Sequence, residues 1–93
     1  MKITGTIWLQ KIVDKLASKH HITQDEVEQV LANNPQYRLV ERGKIDGEDV
    51  YAAYGCTDAG RYVTVIFIRK FGNRALIITG RDMDGKEHRQ YGK

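Results

Sequence analysis

The sequence predicts an α+β domain: two N-terminal helices packed on a four-stranded antiparallel meander, with a short C-terminal helix. Three observations lead there. The apolar residues keep a helical period from Leu9 until Asn33-Asn34-Pro35 stops it. After Pro35 the period becomes two, in four short apolar runs. Tight glycine- and aspartate-bearing turns join those runs, and short connections between consecutive strands imply antiparallel neighbours. With 93 residues there is room for one core, so residues 1–93 form a single domain.

Ile3 to Trp8 reads as a short strand or an irregular lead-in, weakened by Gly5. Leu9, Ile12, Val13, Leu16 and His20 then share one face of a helix, and Lys11, Lys15 and Lys19 stripe its flank. Such a stripe is a solvated face or a phosphate-attracting ridge. Thr23 and Glu26 form a capping box for the second helix, with Ile22 and Val27 placed as a hydrophobic staple. Tyr37 to Arg42 is the first strand of the meander, followed by an Asp46-Gly47 hairpin signal. Val50 to Gly55 is the second strand. Arg61 to Ile68 is apolar on both faces and is therefore central. Arg74 to Thr79 is the last strand, and Asp84 with Glu87 starts a helix that ends near Tyr91.

Net charge is +3 and the pI about 9.1. Residues 51–93 hold eight Lys/Arg against four Asp/Glu, so the excess lies on the sheet and last helix, a bias compatible with nucleic acid. The one cysteine, Cys56, cannot close an internal disulfide, in keeping with a reducing compartment. No window has the roughly 18 apolar residues of a membrane span, and there is no signal-peptide core, so a cytoplasmic location with no membrane partner is expected. His20, His21 and His88 show no metal-ligand spacing, so neither metal nor other cofactor is expected.

The chemistry concentrates at the end of the chain. Ala75 to Thr79 runs into Gly80 and Arg81, and Glu87, His88, Arg89 and Tyr91 follow within one helix. An arginine leaving a buried strand is ion-paired or lines a cleft. The structural alternative for Arg81 is a pair with Asp82, Glu87 or Glu26. If the last strand pairs with the central one, Arg61 and Arg81 emerge at the same end of the sheet.

Several segments in order resemble the BrnT family of bacterial toxins. Lys19-His20-His21-Ile22-Thr23 looks like that family's Lys-His-Gly-Val-Ser/Thr, with His21 in place of the glycine. Asp25-Glu26-Val27 is similar to its acidic helix start. Ile77 to Arg81 stands where the family has a strand ending Ser-Ala-Arg, and Glu87 to Tyr91 resembles its Glu-Arg-x-x-Tyr ending. Asp46-Gly47-Glu48 and Gly55 also fit. The family's early Trp-Asp-Pro-x-Lys is Trp8-Leu9-Gln10-Lys11-Ile12 here.

The resemblance implies a RelE-like fold, RNA as substrate and a small antitoxin of ribbon-helix-helix type as partner. RNA cleavage by the neighbouring 2′-hydroxyl needs a base, charge on the phosphate and a proton for the leaving oxygen. Arginine and lysine can supply that charge without a metal. On this expectation Arg81 and Arg61 hold the phosphate, with Lys19 and Arg89 adding positive charge. His20 trades protons near neutral pH, and Glu87, His88 and Tyr91 are the alternatives; Tyr91 can instead stack a base. The competing expectation is a non-catalytic nucleic-acid- or protein-binding module of the same fold.

Overall fold

The computed structural model describes residues 1–45 and 47–92. Asp46, on which the Asp46-Gly47 turn rests, lies outside the described residues. The chain runs β1 (Gly5–Ile7), α1 (Gln10–Lys15), a π-helical turn (Leu16–His20), α2 (Gln24–Ala32), β2 (Gln36–Glu41), β3 (Val50–Cys56), β4 (Tyr62–Lys70), β5 (Arg74–Asp82) and α3 (Gly85–Tyr91). Strand order in the sheet is β1-β5-β4-β3-β2.

The α+β class and the meander β2 to β5 agree with expectation, but the sheet is mixed and five-stranded. The added strand is the short N-terminal segment, which pairs parallel with β5. It covers hydrogen-bonding groups that would otherwise make β5 an open edge. Thr4 extends the attachment: its backbone N–H donates to Asn73 O at 2.9 Å and its hydroxyl to Gly72 O at 2.7 Å. The Glu28 carboxylate on α2 accepts from Thr6 Oγ1 at 2.5 Å and Trp8 Nε1 at 2.8 Å, so β1 is tied to the helical layer too.

The first helix also departs from a uniform α period. From Leu16 it widens into a π turn, and His21 closes it in the left-handed region at φ 52°. Ile22 N–H then donates back to Leu16 O at 3.0 Å. Wide turns of this kind recur at functional sites. Here it turns the His20 and His21 carbonyls toward the sheet end, where an arginine meets them. The capping boxes at Thr23/Glu26 and Asp84/Glu87 both form as expected.

Burial explains the two layers. Leu16, Ile22, Val27 and Val30 of the helices pack on Val63, Val65, Phe67, Ala75 and Ile77 of one sheet face. The opposite face carries Ala52, Tyr54 and Met83, joined by Tyr62, Ile66 and Tyr91. Among the described residues, the seven-residue α3 is the helix that packs there, over the end of the sheet where β5 exits. Among the described residues no helix is long and apolar enough to cross a membrane.

Two glycines sit where strands approach the helical layer, and they differ in tolerance. A Cβ on Gly55 would lie 3.0 Å from the rigid Pro35 ring and 3.3 Å from Val30, whereas one on Gly80 would meet its neighbours at 3.7 Å or more. Gly55→Ala is therefore expected to lower unfolding free energy by about 1–3 kcal/mol through overpacking, and Gly80→Ala to stay within about 0.5 kcal/mol of wild type. Urea unfolding checks both, and equal effects would contradict this packing.

Candidate functional site

β5 ends in two charged residues that point to opposite faces. Asp82 stands opposite Val63 and Arg81 opposite Thr64 on β4. Val63 belongs to the helix-facing core, so Asp82 faces the helices and Arg81 faces α3. A register shift between Ile66 and Phe67 sets this parity: Ile66 pairs with Thr79, but Phe67 with Ile77. The extra residue is a β-bulge. Without it Arg81 would share the face of Ile77.

On the helix-facing side the organising group is Arg61. Its Nε donates to Asp82 Oδ1 at 2.7 Å and its Nη2 to Asp82 Oδ2 at 3.2 Å. Nη1 donates to His21 O at 2.8 Å and Glu26 Oε2 at 3.3 Å, and Nη2 also to His20 O at 3.1 Å. One guanidinium thus joins the end of β5, the π turn and the start of α2. The Arg61 hydrogen bonds hold the Asp82 carboxyl below its ordinary range, helped by the nearby His20 ring. Glu26 is likewise lowered, first by the Thr23 backbone N–H and then by Arg61.

On the other side Arg81 makes a bidentate pair with Glu87: Nη1 to Oε1 at 2.6 Å and Nη2 to Oε2 at 2.7 Å. Thr64 Oγ1 donates to the same carboxylate at 3.1 Å, and the Asp84 backbone N–H at 3.0 Å. Against the cost of burial, the Arg81 hydrogen bonds above all, with the Asp84 N–H and Thr64, pull Glu87 from 4.5 down to about 2. The Arg81 side chain keeps 41% exposure while that of Glu87 keeps 14%. The carboxylate is enclosed and the arginine side chain is still partly exposed. Beside them Tyr54 and Tyr91 stack at 3.9 Å with rings 4° apart, and Tyr62 meets the His88 ring edge-on at 4.6 Å. Burial, then Tyr91 and Glu87, raise the Tyr54 hydroxyl pKa, and Arg38 of β2 opposes the rise.

The expected site residues therefore fall into two groups. Lys19, His20 and Arg61 lie with the helical layer; Arg81, Glu87, His88 and Tyr91 lie around α3. Arg89 is an exposed residue of α3 whose guanidinium passes 3.5 Å from where a Gly85 Cβ would be. The expectation that Arg61 and Arg81 hold one phosphate together is corrected, because they lie on opposite faces of the sheet. Arg61 and Arg81 do emerge at one end of the sheet, but back to back. Thr64, Tyr54, Tyr62 and Arg38 were not anticipated. Thr64 had a signal, as a fully buried hydroxyl inside the apolar run Val63 to Phe67. The tyrosines read as ordinary strand residues. Among the described residues no three His, Cys, Asp or Glu side chains gather as a metal site.

Two outcomes follow from this geometry. Arg61→Ala leaves Asp82 and two carbonyls without this donor, and Glu26 with only its Thr23 capping bonds. A loss of about 2–3 kcal/mol is expected, less than for a fully enclosed pair. Arg61→Lys should recover little of it, because a point charge cannot serve that fork; full recovery would contradict the clamp. Glu87 is depressed in the folded state, so its stabilisation is complete above about pH 4.5 and lost as pH falls toward about 2. The stability gap between wild type and Glu87→Gln, followed by urea midpoints, should close across that window.

No protein-family model and no curated protein sequence matches this chain. A solved structure does. The crystal structure of the Brucella abortus ribonuclease toxin BrnT superposes with a TM-score of 0.60 at 17% identity, covering 86% of this chain and 96% of that one. At that identity the likeness speaks for the fold. The BrnT resemblance read from short sequence motifs is thus matched in three dimensions: this chain has the BrnT fold.

Proposed function

We propose that the chain is a metal-independent ribonuclease toxin whose site is the α3 face of the sheet. One observation carries the reading. The partly exposed side chain of Arg81 is fixed by an enclosed carboxylate, with an imidazole and stacked aromatic rings on the same face of the sheet. The fold likeness to a ribonuclease toxin supports it.

Each part has a role. Arg81 spends two of its five N–H donors on Glu87 and a third on the Asp82 carbonyl at 3.3 Å, and the other two can take the scissile phosphate. Negative charge grows there as the 2′-hydroxyl attacks, and a pre-aimed guanidinium stabilises it. Glu87 stays ionised at neutral pH and is a positioning residue that holds the arginine. His88, exposed and braced by Tyr62, moves the proton. Tyr91 offers a ring for a splayed base, and Arg89 adds charge along the same helix. Lys19 and His20 take no part in the chemical step, and Arg61 serves the fold. The chain acts in the cytoplasm, and it pairs with a small antitoxin of ribbon-helix-helix type, as the family resemblance implies.

A second reading, a non-catalytic binding module, draws on the same pair: Glu87 already neutralises Arg81. One experiment separates them. Purified protein is incubated with single-stranded RNA and with the same sequence as DNA. The ribonuclease cuts RNA alone, leaving 2′,3′-cyclic phosphate ends. Arg81→Ala is expected to cost about 10²–10³-fold in rate and His88→Ala about 10²–10⁴-fold. Salt-sensitive RNA binding with no cleavage favours the module. Cleavage unchanged in both variants removes the assignment of this face.

A further inference from the structure

The turn between β4 and β5 carries Arg69-Lys70-Phe71-Gly72-Asn73-Arg74. Phe71 at its tip is 92% exposed, more than any other large apolar side chain described. Yet the turn is built to hold a shape. Gly72 and Asn73 reverse the chain at φ 79° and 59°. Thr4 of the N-terminal segment holds both carbonyls, and Arg69 Nε donates to Asn73 Oδ1 at 2.9 Å. A loop tied at several points leaves a large ring in water. Beside the ring is an open hollow of about 320 Å³, lined by Asp49, Arg69 and Lys70 among others. The Lys70 ammonium is answered by Glu48, whereas Arg74 is exposed and only weakly engaged, at 3.5 Å from Phe71 O.

We propose that this turn is a second contact for single-stranded RNA: one base stacks on Phe71 and an adjacent phosphate meets Arg74. A solvent-facing aromatic between cations is the arrangement that binds unpaired nucleotides without reading sequence. A protein partner would be served by an apolar patch, but here the ring is flanked by charge. The turn lies at the far end of the sheet from Arg81. Arg74 and Arg81 are seven positions apart on β5, roughly 20 Å at the strand rise. The contact therefore lengthens the RNA footprint and leaves the chemical step alone. It rests on RNA being the ligand of the α3 face, and it concerns binding only.

The test is fluorescence anisotropy with a labelled single-stranded RNA long enough to span both ends, alongside single-turnover cleavage of the same RNA. Phe71→Ala should weaken binding about tenfold, Phe71→Trp should match or exceed wild type, and Arg74→Gln should lower the salt dependence. Thermal midpoints should not move, since the ring is exposed, and the cleavage rate at saturating protein should not change. Equal affinity of Phe71→Ala and wild type overturns the proposal. So does a change in self-association or antitoxin binding with RNA affinity unaltered. If wild type binds RNA in this Phe71-dependent way but does not cut it, the second contact stands and the catalytic reading falls. If wild type binds no RNA, both fall.

Discussion

Between Ile77 and Gly80, β5 carries one residue more than β4 does, and everything after that point is rotated by one place. Strand side chains alternate, so a single extra residue exchanges the two faces. Asp82 thereby turns to the helices and Arg81 to α3. Each is then met by a partner it cannot share: Asp82 by Arg61, and Arg81 by Glu87. The bulge is a local event, yet it decides which layer each end-of-strand charge can reach.

The two arginines differ in what remains for a ligand. Arg61 is committed in four directions, two of them to backbone carbonyls that the π turn leaves pointing at it. Its work is to hold the first two helices to the sheet. Arg81 makes one bidentate pair and one bond to the Asp82 carbonyl, and its side chain stays partly exposed. A seven-residue helix has little stability of its own, so α3 depends on what it docks against. Its capping box, the Tyr54–Tyr91 stack and the Arg81 pair provide that. Arg81 and α3 therefore order each other, and an anion arriving at Arg81 meets a group already oriented.

Much of the fold could be read in the sequence because the local signals agree with one another. The period changes at Pro35, both capping boxes are spelled out, and the run from Arg61 to Ile68 is apolar on both faces. What was missed has specific causes. Gly5 weakened the first strand, whose pairing partner is nearly seventy residues away and supplies most of the reason for it. The π turn has no period that distinguishes it from α-helix over five residues. The bulge at Ile78 leaves no mark in the sequence, because Ala75 to Ile78 is a continuous apolar run without alternation. The expectation of one shared site came from the sheet end that Arg61 and Arg81 have in common, which leaves open the face each one takes. Residue types and the Arg81–Glu87 pairing were within reach; the division between faces was not.

In the proposed function, ligand phosphate meets Arg81 on the α3 face, while Arg61 stays inside the fold. NMR of arginine Nε–H and backbone amide signals, during titration with an uncleavable 2′-deoxy oligonucleotide, tests it most directly. Shifts gathered at Arg81, His88 and Tyr91, with the Arg61 signal unmoved, are the predicted result. Shifts gathered at Lys19, His20 and Arg61, with α3 silent, would contradict it.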